Sequence, residues 1–591
     1  MDVLGNKKVA PNSWDFETHA EGPAGKIEFS AKMLINEPSG NIFAQSQNVG
    51  MGWDPKKLWG TQYMILSTMG GMRSDDGTPI ALGHHTGHFE LGMLIKTAAE
   101  QIQEMDGVPY TAYCSDPCDG RSQGTSGMMD SLPYRNDAAI VMRRLSRSIP
   151  TTKGVLGIAT CDKGLPAMMM ALAGTPDKPT IIMPGGVTLA VENGEDTAKI
   201  QSIGSRFAQN EVTLEYAQDM GCKSCASPGG GCQFLGTAGT SQVIAESLGM
   251  TLPHAALTPS GTNLWIDTGR RSAIALKNLI DKNIKTKEIL TSKAFENAMI
   301  VHAACGGSTN LILHLPAVAH AVKEKIMKVE DWIRINKLTP RLVDVLPNGP
   351  KGFPTSVFFS AGGVPEVMLK LRNEGLLNLD VVTSTGLTLR ENLDWWEQSE
   401  KRDFVRKQLK DSRNIDPEDV IHSLKNSKKK NMTSTVTFPK GNIAPEGSVV
   451  KSTAIDKTVI DDDGVYRKIG PARIFISEAD AIKAVKDKGA NGVKAGDIMV
   501  IACGGPKGTG MQEVAQITIA LKYLSYGKEV ALITDGRFSG VSTGACIGHI
   551  GPEALDGGPI GKLKENDLIE INIDTINLEG SINLIGEDGQ N

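Results

Sequence analysis

The stretch VLGIATCDKGLP, residues 155–166, decides the fold of this chain. Its short apolar run ends at a turn, which is typical of a buried strand, and an apolar helix is predicted to begin at Leu165. Cys161, Asp162 and Lys163 therefore follow the carboxyl end of a strand, where open α/β sheets leave a crevice for ligands. A thiol beside a carboxylate indicates two different metals, or a metal and a proton-transfer group. Taken alone, the stretch also fits a buried cysteine beside a surface ion pair.

Length and composition indicate an ordinary soluble protein with more than one domain. The chain has 591 residues, which is too long for one hydrophobic core, and 40% of them are apolar. The formal net charge of −5 excludes the basic footprint of a nucleic-acid-binding protein. No run of 18 apolar residues occurs, so no membrane-spanning helix is predicted. Because residues 1–21 resemble neither a secretory signal nor a transit peptide, we expect a cytoplasmic protein without membrane or nucleic-acid partners.

Several cysteines lie beside glycine, aspartate or proline instead of within apolar runs. The chain has nine cysteines, which are unlikely to form disulfides in a cytoplasmic protein. Cys118-Asp119 repeats the pairing of Cys161 with an aspartate, and Cys232 follows three glycines, which suits a cluster ligand. Cys222 and Cys225 form a CxxC pair, but no second pair lies at the spacing of a zinc ribbon. Such thiols are candidates for metal or redox chemistry.

Three histidines precede a predicted helix. They occupy positions 84, 85 and 88, and the apolar residues from 91 to 105 recur at helical spacing. The histidines could bind a metal or line an active site as polar groups. The absence of a paired cysteine or carboxylate at metal-site spacing favours the polar lining.

Alternating strand and helix signals predict an α/β fold with a doubly wound parallel sheet. Beyond residue 436 short strands with glycine-rich connections predict a smaller, β-rich, barrel-like domain. Glu513 is expected on a helix there. We predict an amino-terminal arm over 1–60, an α/β domain over 61–385, a largely helical linker over 386–435 and the barrel-like domain over 436–591.

Six motifs, in order along the chain, resemble the dihydroxy-acid and 6-phosphogluconate dehydratase family. Within it, the segments SLPYRND (131–137) and NLDWW (392–396) and the long arm are most similar to the bacterial D-xylonate dehydratase subgroup. The motifs are CDG (118–120), TCDK (160–163), GC (231–232), GGSTN (306–310), APEG (444–447) and TDGRFSG (534–540).

The resemblance implies an iron–sulfur cluster held by Cys118, Cys161 and Cys232. Many members place the third ligand in a Pro-Cys-Asn segment before the first long helix, but here that position falls near Gly87-His88 and has no cysteine. Cys118 precedes an aspartate as in the 6-phosphogluconate branch, and we therefore predict it as the third ligand. The branches differ in cluster type, so both [4Fe-4S] and [2Fe-2S] stay open.

The resemblance also implies a Mg²⁺ site, because Mg²⁺ takes oxygen ligands and keeps open positions for substrate. The implied ligands are Asp119, Asp162, Glu513 and Lys163. An ammonium group cannot bind a cation, but family members carry this lysine as a carbamate, which supplies oxygens. The alternative for Lys163 is a salt bridge to Asp162.

The implied reaction is the elimination of water from a sugar acid. Mg²⁺ would bind the carboxylate and the C2 hydroxyl, the open iron would bind the C3 hydroxyl, and Ser539 would remove the C2 proton. A serine can act as a base only if nearby cations stabilise its alkoxide. The expected activity is a hydro-lyase that converts an aldonate, D-xylonate foremost, to a 2-keto-3-deoxy acid.

Substrate contacts and assembly also follow from the resemblance. Ser308, Thr309 and Asn310 are expected to orient a hydroxyl-rich substrate, and such a site rejects apolar analogues. The alternatives are dihydroxy-acid dehydration in branched-chain amino-acid synthesis, 6-phosphogluconate dehydration and an iron–sulfur sensor. A sensor would not need the oxygen ligands or Ser539. The family implies a homodimer or homotetramer.

Overall fold

The computed structural model describes residues 3, 19–224, 229–487 and 489–587. The strands in this part of the chain are β1 (Gln62–Ser67), β2 (Met72–Arg73), β3 (Pro79–Ala81), β4 (Val108–Tyr113), β5 (Gly154–Ala159), β6 (Thr180–Pro184), β7 (Val436–Thr437), β8 (Gly447–Lys451), β9 (Val465–Phe475), β10 (Ile498–Ile501), β11 (Ala531–Thr534), β12 (Cys546–Gly551), β13 (Leu568–Asp574) and β14 (Glu579–Gly586).

The helices fall into two series. Those before residue 237 are α1 (Ala31–Asn36), α2 (Ser39–Gly50), α3 (Leu91–Glu104), α4 (Asp119–Ser122), α5 (Ser131–Ser148), α6 (Gly164–Ala173), α7 (Thr197–Gln201), α8 (Ile203–Ala208) and α9 (Leu214–Gly221). The later ones are α10 (Thr237–Ser247), α11 (Asn263–Asp281), α12 (Thr286–Ile289), α13 (Ser292–Cys305), α14 (Leu311–Val322), α15 (Val329–Leu338), α16 (Thr355–Ser360), α17 (Gly363–Asn373), α18 (Leu389–Glu397), α19 (Glu400–Arg413), α20 (Pro417–Val420), α21 (Leu424–Lys429), α22 (Glu478–Lys486), α23 (Pro506–Thr509) and α24 (Ala515–Lys522).

The first sheet is parallel and has helices on both faces. Its strand order is β4-β1-β5-β6. Helices α3 and α11 cover one face, and α5 and α6 cover the other. Every residue of β5 is buried, as expected for a strand covered on both sides. The predicted doubly wound sheet is confirmed, and its strand order reverses between β1 and β5, where such sheets bind ligands.

A helical layer follows the first sheet. Between β6 and β7 the described residues form helices and isolated bridges but no strand. All eleven residues of α10 are buried. A helix buried on every side is not divided into an apolar and a solvent-facing side, so hydrophobic periodicity does not mark it in the sequence. Most of the helical layer therefore lies within the single α/β domain that the sequence predicts over 61–385.

The second sheet is a nearly closed barrel. Its eight strands follow the order β14-β13-β9-β10-β11-β12-β8-β7, and β9 to β12 are parallel. Lys440, just beyond β7, donates its N–H to Gly580 O and accepts from Ile582 N, each at 3.2 Å. The isoleucines at 569, 571 and 573 face the apolar interior. The barrel-like carboxyl-terminal domain is therefore confirmed.

The two sheets share one large apolar core. Met499, Ile501 and Leu532 on the outer face of the barrel belong to the same cluster as α6 and α13. The helices of the predicted linker also pack on the earlier chain, since Trp396 is fully buried and donates its indole N–H to Glu366 Oε2 at 3.2 Å. The domain boundaries at 60, 385 and 435 stay predictions. No described helix is both long and apolar enough to cross a membrane.

Candidate metal and active site

The tripeptide Cys161-Asp162-Lys163 occupies a strained turn between β5 and α6. Cys161 has a φ of 71°, in the left-handed region that residues with side chains seldom adopt. The N–H of Gly164, the first residue of α6, donates to Asp116 Oδ2 at 2.9 Å. Strained backbone persists where the surrounding structure holds it, and it is frequent at functional sites. The turn therefore fixes the thiol and the carboxylate at the edge of the first sheet.

A cavity lies at this edge and reaches the barrel. It brings together the three predicted cysteines, three predicted carboxylates and Ser539. The lining residues are His85, Cys118, Asp119, Gly120, Gln123, Cys161, Asp162, Gln201, Cys232, Phe234, Gly236, Thr237, Ala238, Glu513, Ser539 and Val541.

The thiols occupy one side of the cavity. One ring nitrogen of His85 and the sulfurs of Cys118 and Cys161 lie within 4.8 Å of one another. Cys232 is presented by a glycine turn, in which a Cβ on Gly230 would lie 2.6 Å from backbone atoms of Val187. Only glycine fits such an approach, so the glycines before Cys232 set its position.

Cys161 is poorly ionised without a metal. Its hydrogen bond with the Cys118 thiol, together with burial, raises the pKa of Cys161 well above its usual value. Metals bind thiolates, and a bound cation supplies the charge that deprotonates such a thiol. The chemistry of this donor set therefore fits a metal centre better than it fits free thiols.

The carboxylates occupy the neighbouring side. Asp119 Oδ2 lies 2.5 Å from Lys163 Nζ, and Ser131 Oγ donates to Asp119 Oδ1 at 2.5 Å. Lys163 thus pairs with Asp119, whereas the sequence alternative paired it with Asp162. Burial would raise the pKa of Asp119, but the charges of Lys163 and Arg537 outweigh it and lower that pKa. Burial and the nearby Asp119 raise the pKa of Asp162 to about 7.

Glu513 reaches the cavity from the barrel. It lies between α23 and α24, so the prediction that a helix carries it is wrong. Its position is set by an isolated bridge with Arg537, in the loop that follows β11. Arg537 Nη1 donates to Glu513 Oε2, which also accepts from Asn310 Nδ2 at 2.8 Å, and Gln123 Nε2 donates to Oε1 at 2.8 Å. Residues far apart in the chain therefore hold one carboxylate.

The GGSTN segment lies behind the surface of the cavity. Ser308, Thr309 and Asn310 are buried and are not among the lining residues. Asn310 Nδ2 donates to Thr237 Oγ1 at 2.8 Å, and Ser308 Oγ lies 2.9 Å from the same hydroxyl. Thr309 Oγ1 and Asn310 Oδ1 have no hydrogen-bond partner among the described residues. Their predicted contact with substrate stays a prediction, and the observed side-chain hydrogen bonds of Ser308 and Asn310 orient Glu513 and Thr237.

The histidines divide into two roles. His85 lines the cavity, and burial lowers its pKa to about 4, with the charges of His88 and Arg121 adding to the effect. The Gly87 N–H donates to His85 Nδ1 at 2.9 Å, which leaves the hydrogen of the neutral ring on Nε2. His88 is buried, and its Nε2 lies 2.5 Å from Asp116 Oδ1.

Sequence reasoning missed several residues of this site. Arg537, Gln123 and Ser131 lie within or beside the quoted motifs, but the spacing of the motifs gave no sign that they contact the carboxylates. Of the CxxC pair, Cys222 is exposed and does not line the cavity, and Cys225 lies outside the described residues. Convergence of separate segments is visible only in three dimensions.

Comparison with known proteins shows the family of this chain. The model of the dihydroxy-acid/6-phosphogluconate dehydratase amino-terminal domain matches residues 81–392, and that of the carboxyl-terminal domain matches residues 419–585. The chain belongs to the dihydroxy-acid/6-phosphogluconate dehydratase family. The first match covers β4, β5 and β6 of the first sheet and most of the helical layer, and the second covers nearly all of the barrel; together they include every residue predicted for the site.

The relatives include two proteins of Escherichia coli strain K12, the D-xylonate dehydratases YagF and YjhG. Each is 59% identical to this chain, over 96% of the chain and 86% of the relative. A dihydroxy-acid dehydratase of Dinoroseobacter shibae is 37% identical over 80% of the chain and 76% of the relative. The resemblance predicted from the motifs is therefore confirmed.

Proposed function

We propose that this protein is an aldonate dehydratase, a hydro-lyase that converts D-xylonate to 2-keto-3-deoxy-D-xylonate. The observation that carries the proposal is one cavity in which three thiols, three carboxylates and Ser539 meet. Elimination of water needs a base at C2 and a Lewis acid at the departing hydroxyl, and this donor set can supply both. The 59% identity to two D-xylonate dehydratases supports the choice of substrate.

The residues present fit the two metal groups that the family implies. Cys118, Cys161 and Cys232 would hold the iron–sulfur cluster, as [4Fe-4S] or [2Fe-2S]. The orientation of His85 supports thiolates as the ligands, because its Nδ1 already accepts from Gly87 N–H. When bound, the cluster supplies a Lewis acid for the C3 hydroxyl. Thiolate sulfur is the ligand that such clusters take.

Asp119, Asp162 and Glu513 would hold Mg²⁺, together with a carbamate on Lys163. When bound, Mg²⁺ supplies positive charge for the substrate carboxylate and the developing enolate. Lys163 is fully buried against Asp119. A carbamate there would turn the cation of this ion pair into another anionic oxygen donor, and the carboxylate cluster would then depend on Mg²⁺ and Arg537 for its countercharge.

Ser539 would remove the C2 proton. It lines the cavity beside the carboxylates, and the Val541 N–H donates to its Oγ at 3.3 Å. A hydrogen bond to the ionised form of a group lowers the pKa of that group. Arg537, Asn310 and Gln123 position Glu513, so that the base and the metal ligands from both halves of the chain face the same space.

An unphosphorylated substrate is favoured over 6-phosphogluconate. Among the described residues that line this cavity there is no lysine or arginine. A phosphate group is normally recognised by such cations. Dihydroxy-acid dehydration is the second candidate, on the ground of the 37% identity to a dihydroxy-acid dehydratase. The predicted cytoplasmic location and the homodimeric or homotetrameric assembly remain part of this proposal.

The test is a substrate panel with protein purified without oxygen. D-xylonate, other aldonates, 6-phosphogluconate and a branched 2,3-dihydroxy acid are each incubated with the protein and Mg²⁺, and keto-acid formation is measured. Iron and sulfide are counted on the same sample. We expect the fastest turnover with D-xylonate. Faster turnover of the dihydroxy acid would favour dihydroxy-acid dehydration as the function. Cluster-loaded protein that acts on none of these substrates would favour an iron–sulfur sensor.

A further inference from the structure

Lys451 is a buried lysine whose role the proposed mechanism leaves open. It ends strand β8 and is 4% exposed. Its Nζ donates to the carbonyl oxygen of Gly540 at 2.6 Å. Among the described residues it forms no ion pair with a carboxylate. A buried charge without a counterion is unfavourable for folding, which suggests that function retains it.

The peptide group that Lys451 contacts also contacts Ser539. Its carbonyl belongs to Gly540 and accepts from Lys451. Its N–H belongs to Val541 and donates to Ser539 Oγ at 3.3 Å. Hydrogen bonds at the two ends of one peptide group polarise each other, so a cation at the oxygen strengthens the N–H as a donor.

The surroundings hold this peptide in place. A Cβ on Gly540 would lie 2.8 Å from Ser308 Oγ and 3.3 Å from the Cα of Gly236, so the loop packs directly on the cavity lining at Gly236 and on Ser308 behind it. Ser539 N–H also donates to Ser542 Oγ at 3.1 Å. The orientation of the Val541 N–H toward Ser539 is therefore fixed before substrate binds.

We propose that Lys451 activates Ser539 through the Gly540–Val541 peptide group: its ammonium polarises that peptide and, with the Val541 N–H, stabilises the serine alkoxide. This rests on the proposed role of Ser539 as the base. The proton of the Ser539 hydroxyl leaves to solvent, and the alkoxide then accepts the C2 proton, so no further reactant is needed. Lys451 is a positioning residue, since it does not itself line the cavity.

The surroundings of Lys451 disfavour its positive charge. Burial lowers the pKa of Lys451 to about 7, and the positive charges of Arg341 and Lys522 add to the effect. Both of these groups are cations, and within the described part of the chain no carboxylate forms an ion pair with Lys451. An anion forming at Ser539 would supply the missing countercharge.

The test compares Lys451→Met with Lys451→Arg and with Lys440→Met. Methionine keeps the length of the buried chain and removes a charge that is costly to bury, so Lys451→Met is expected to fold at least as stably as the parent. Lys440 is a half-exposed lysine near the barrel edge and serves as the control. Iron, sulfide and Mg²⁺ contents are measured on every variant.

The first readout is independent of any substrate. The rate at which a small sulfonyl fluoride modifies Ser539 is followed by mass spectrometry, because this rate reports how readily the hydroxyl ionises. A nearby opposite charge shifts a pKa by about one to three units, so Lys451→Met should slow labelling at least about tenfold, with partial recovery in Lys451→Arg. Equal labelling in parent and Lys451→Met, or no labelling of Ser539 in the parent, overturns the proposal.

The second readout uses D-xylonate and its C2-deuterated form. Lys451→Met should lower kcat about as much as it slows labelling, leave KM nearly unchanged and increase the deuterium isotope effect. A higher KM with an unchanged isotope effect indicates a purely structural role and overturns the proposal. If labelling depends on Lys451 but no aldonate is turned over, the activation of Ser539 by Lys451 is supported and the proposed substrate is contradicted.

Discussion

Ser539 differs from the serine nucleophiles of hydrolases in its surroundings. The hydrogen bond to its Oγ comes from a backbone N–H, and within the described residues no histidine bonds to it. Its basicity must therefore come from cations and from oriented dipoles. Removing the hydroxyl should leave the metal ligands in place, because none of them bonds to Ser539 Oγ.

Ser539→Ala should lower kcat by about 10²- to 10⁴-fold, the usual contribution of a positioned base. Activity is measured with D-xylonate, and the visible spectrum of the cluster and the Mg²⁺ content serve as controls. Near-parental turnover in a variant that retains both groups would rule out Ser539 as the base.

The second prediction at this scale concerns the third cluster ligand. Cys118→Ser replaces a soft sulfur by a hard oxygen, so we expect it to lose most of its iron and sulfide. Cys222 is exposed and lies outside the cavity, so Cys222→Ser is the matched control. Iron and sulfide are determined chemically on both variants after anaerobic purification. A full complement of iron in Cys118→Ser would assign the third position to another residue.

At the scale of elements, the tripeptide Cys161-Asp162-Lys163 directly precedes the amino terminus of α6. Asp116 accepts from Gly164 N–H and lies beside His88, so it ties α6 to the segment before α4 and to the histidine segment. Loss of a side-chain acceptor at the amino terminus of a helix usually destabilises a protein by about 0.5–2 kcal/mol.

Asp116→Ala should lower the free energy of unfolding by about this amount. It should also reduce cluster loading, because the turn that carries Cys161 loses the hydrogen bond that anchors it. Asp116→Asn retains an oxygen acceptor for Gly164 and is the matched control. Thermal unfolding and iron content are measured on both. Equal iron content in Asp116→Ala and the parent would show that the turn does not depend on this anchor.

At the scale of the whole molecule, the candidate Mg²⁺ site joins two parts of the chain. Asp119 and Asp162 follow strands of the first sheet, whereas Glu513 belongs to the barrel. A ligand that binds only the folded state stabilises it by an amount that grows with the logarithm of the ligand concentration relative to its dissociation constant. Mg²⁺ should therefore stabilise both halves together.

Mg²⁺ at about one hundred times its dissociation constant should stabilise the protein by about 2.7 kcal/mol, and a chelator should remove that increment. Asp162→Asn should abolish it, while Asp380→Asn, at a side chain that is 76% exposed, should retain it. Thermal unfolding is recorded with and without Mg²⁺ on each protein. A Mg²⁺ increment that persists in Asp162→Asn would place the ion elsewhere.

The sequence by itself determined the local chemistry. The apolar run of β5 and the turn after it placed Cys161 and Asp162 at a sheet edge, because a buried strand and its glycine turn have a local signature. The motifs also indicated the family, and with it the residues that this cavity brings together. Alternating strand and helix signals predicted the α/β fold of the first domain. Short strands with glycine-rich connections predicted the barrel-like fold of the second.

Only the tertiary structure decided which partners these residues have. Lys163 pairs with Asp119, Glu513 lies on a loop and is held by Arg537 and Asn310, and Lys451 reaches Ser539 through one peptide group. These contacts join segments separated by tens to hundreds of residues. Sequence periodicity records how each element is buried, but it does not record which side chains meet when separate elements pack against each other.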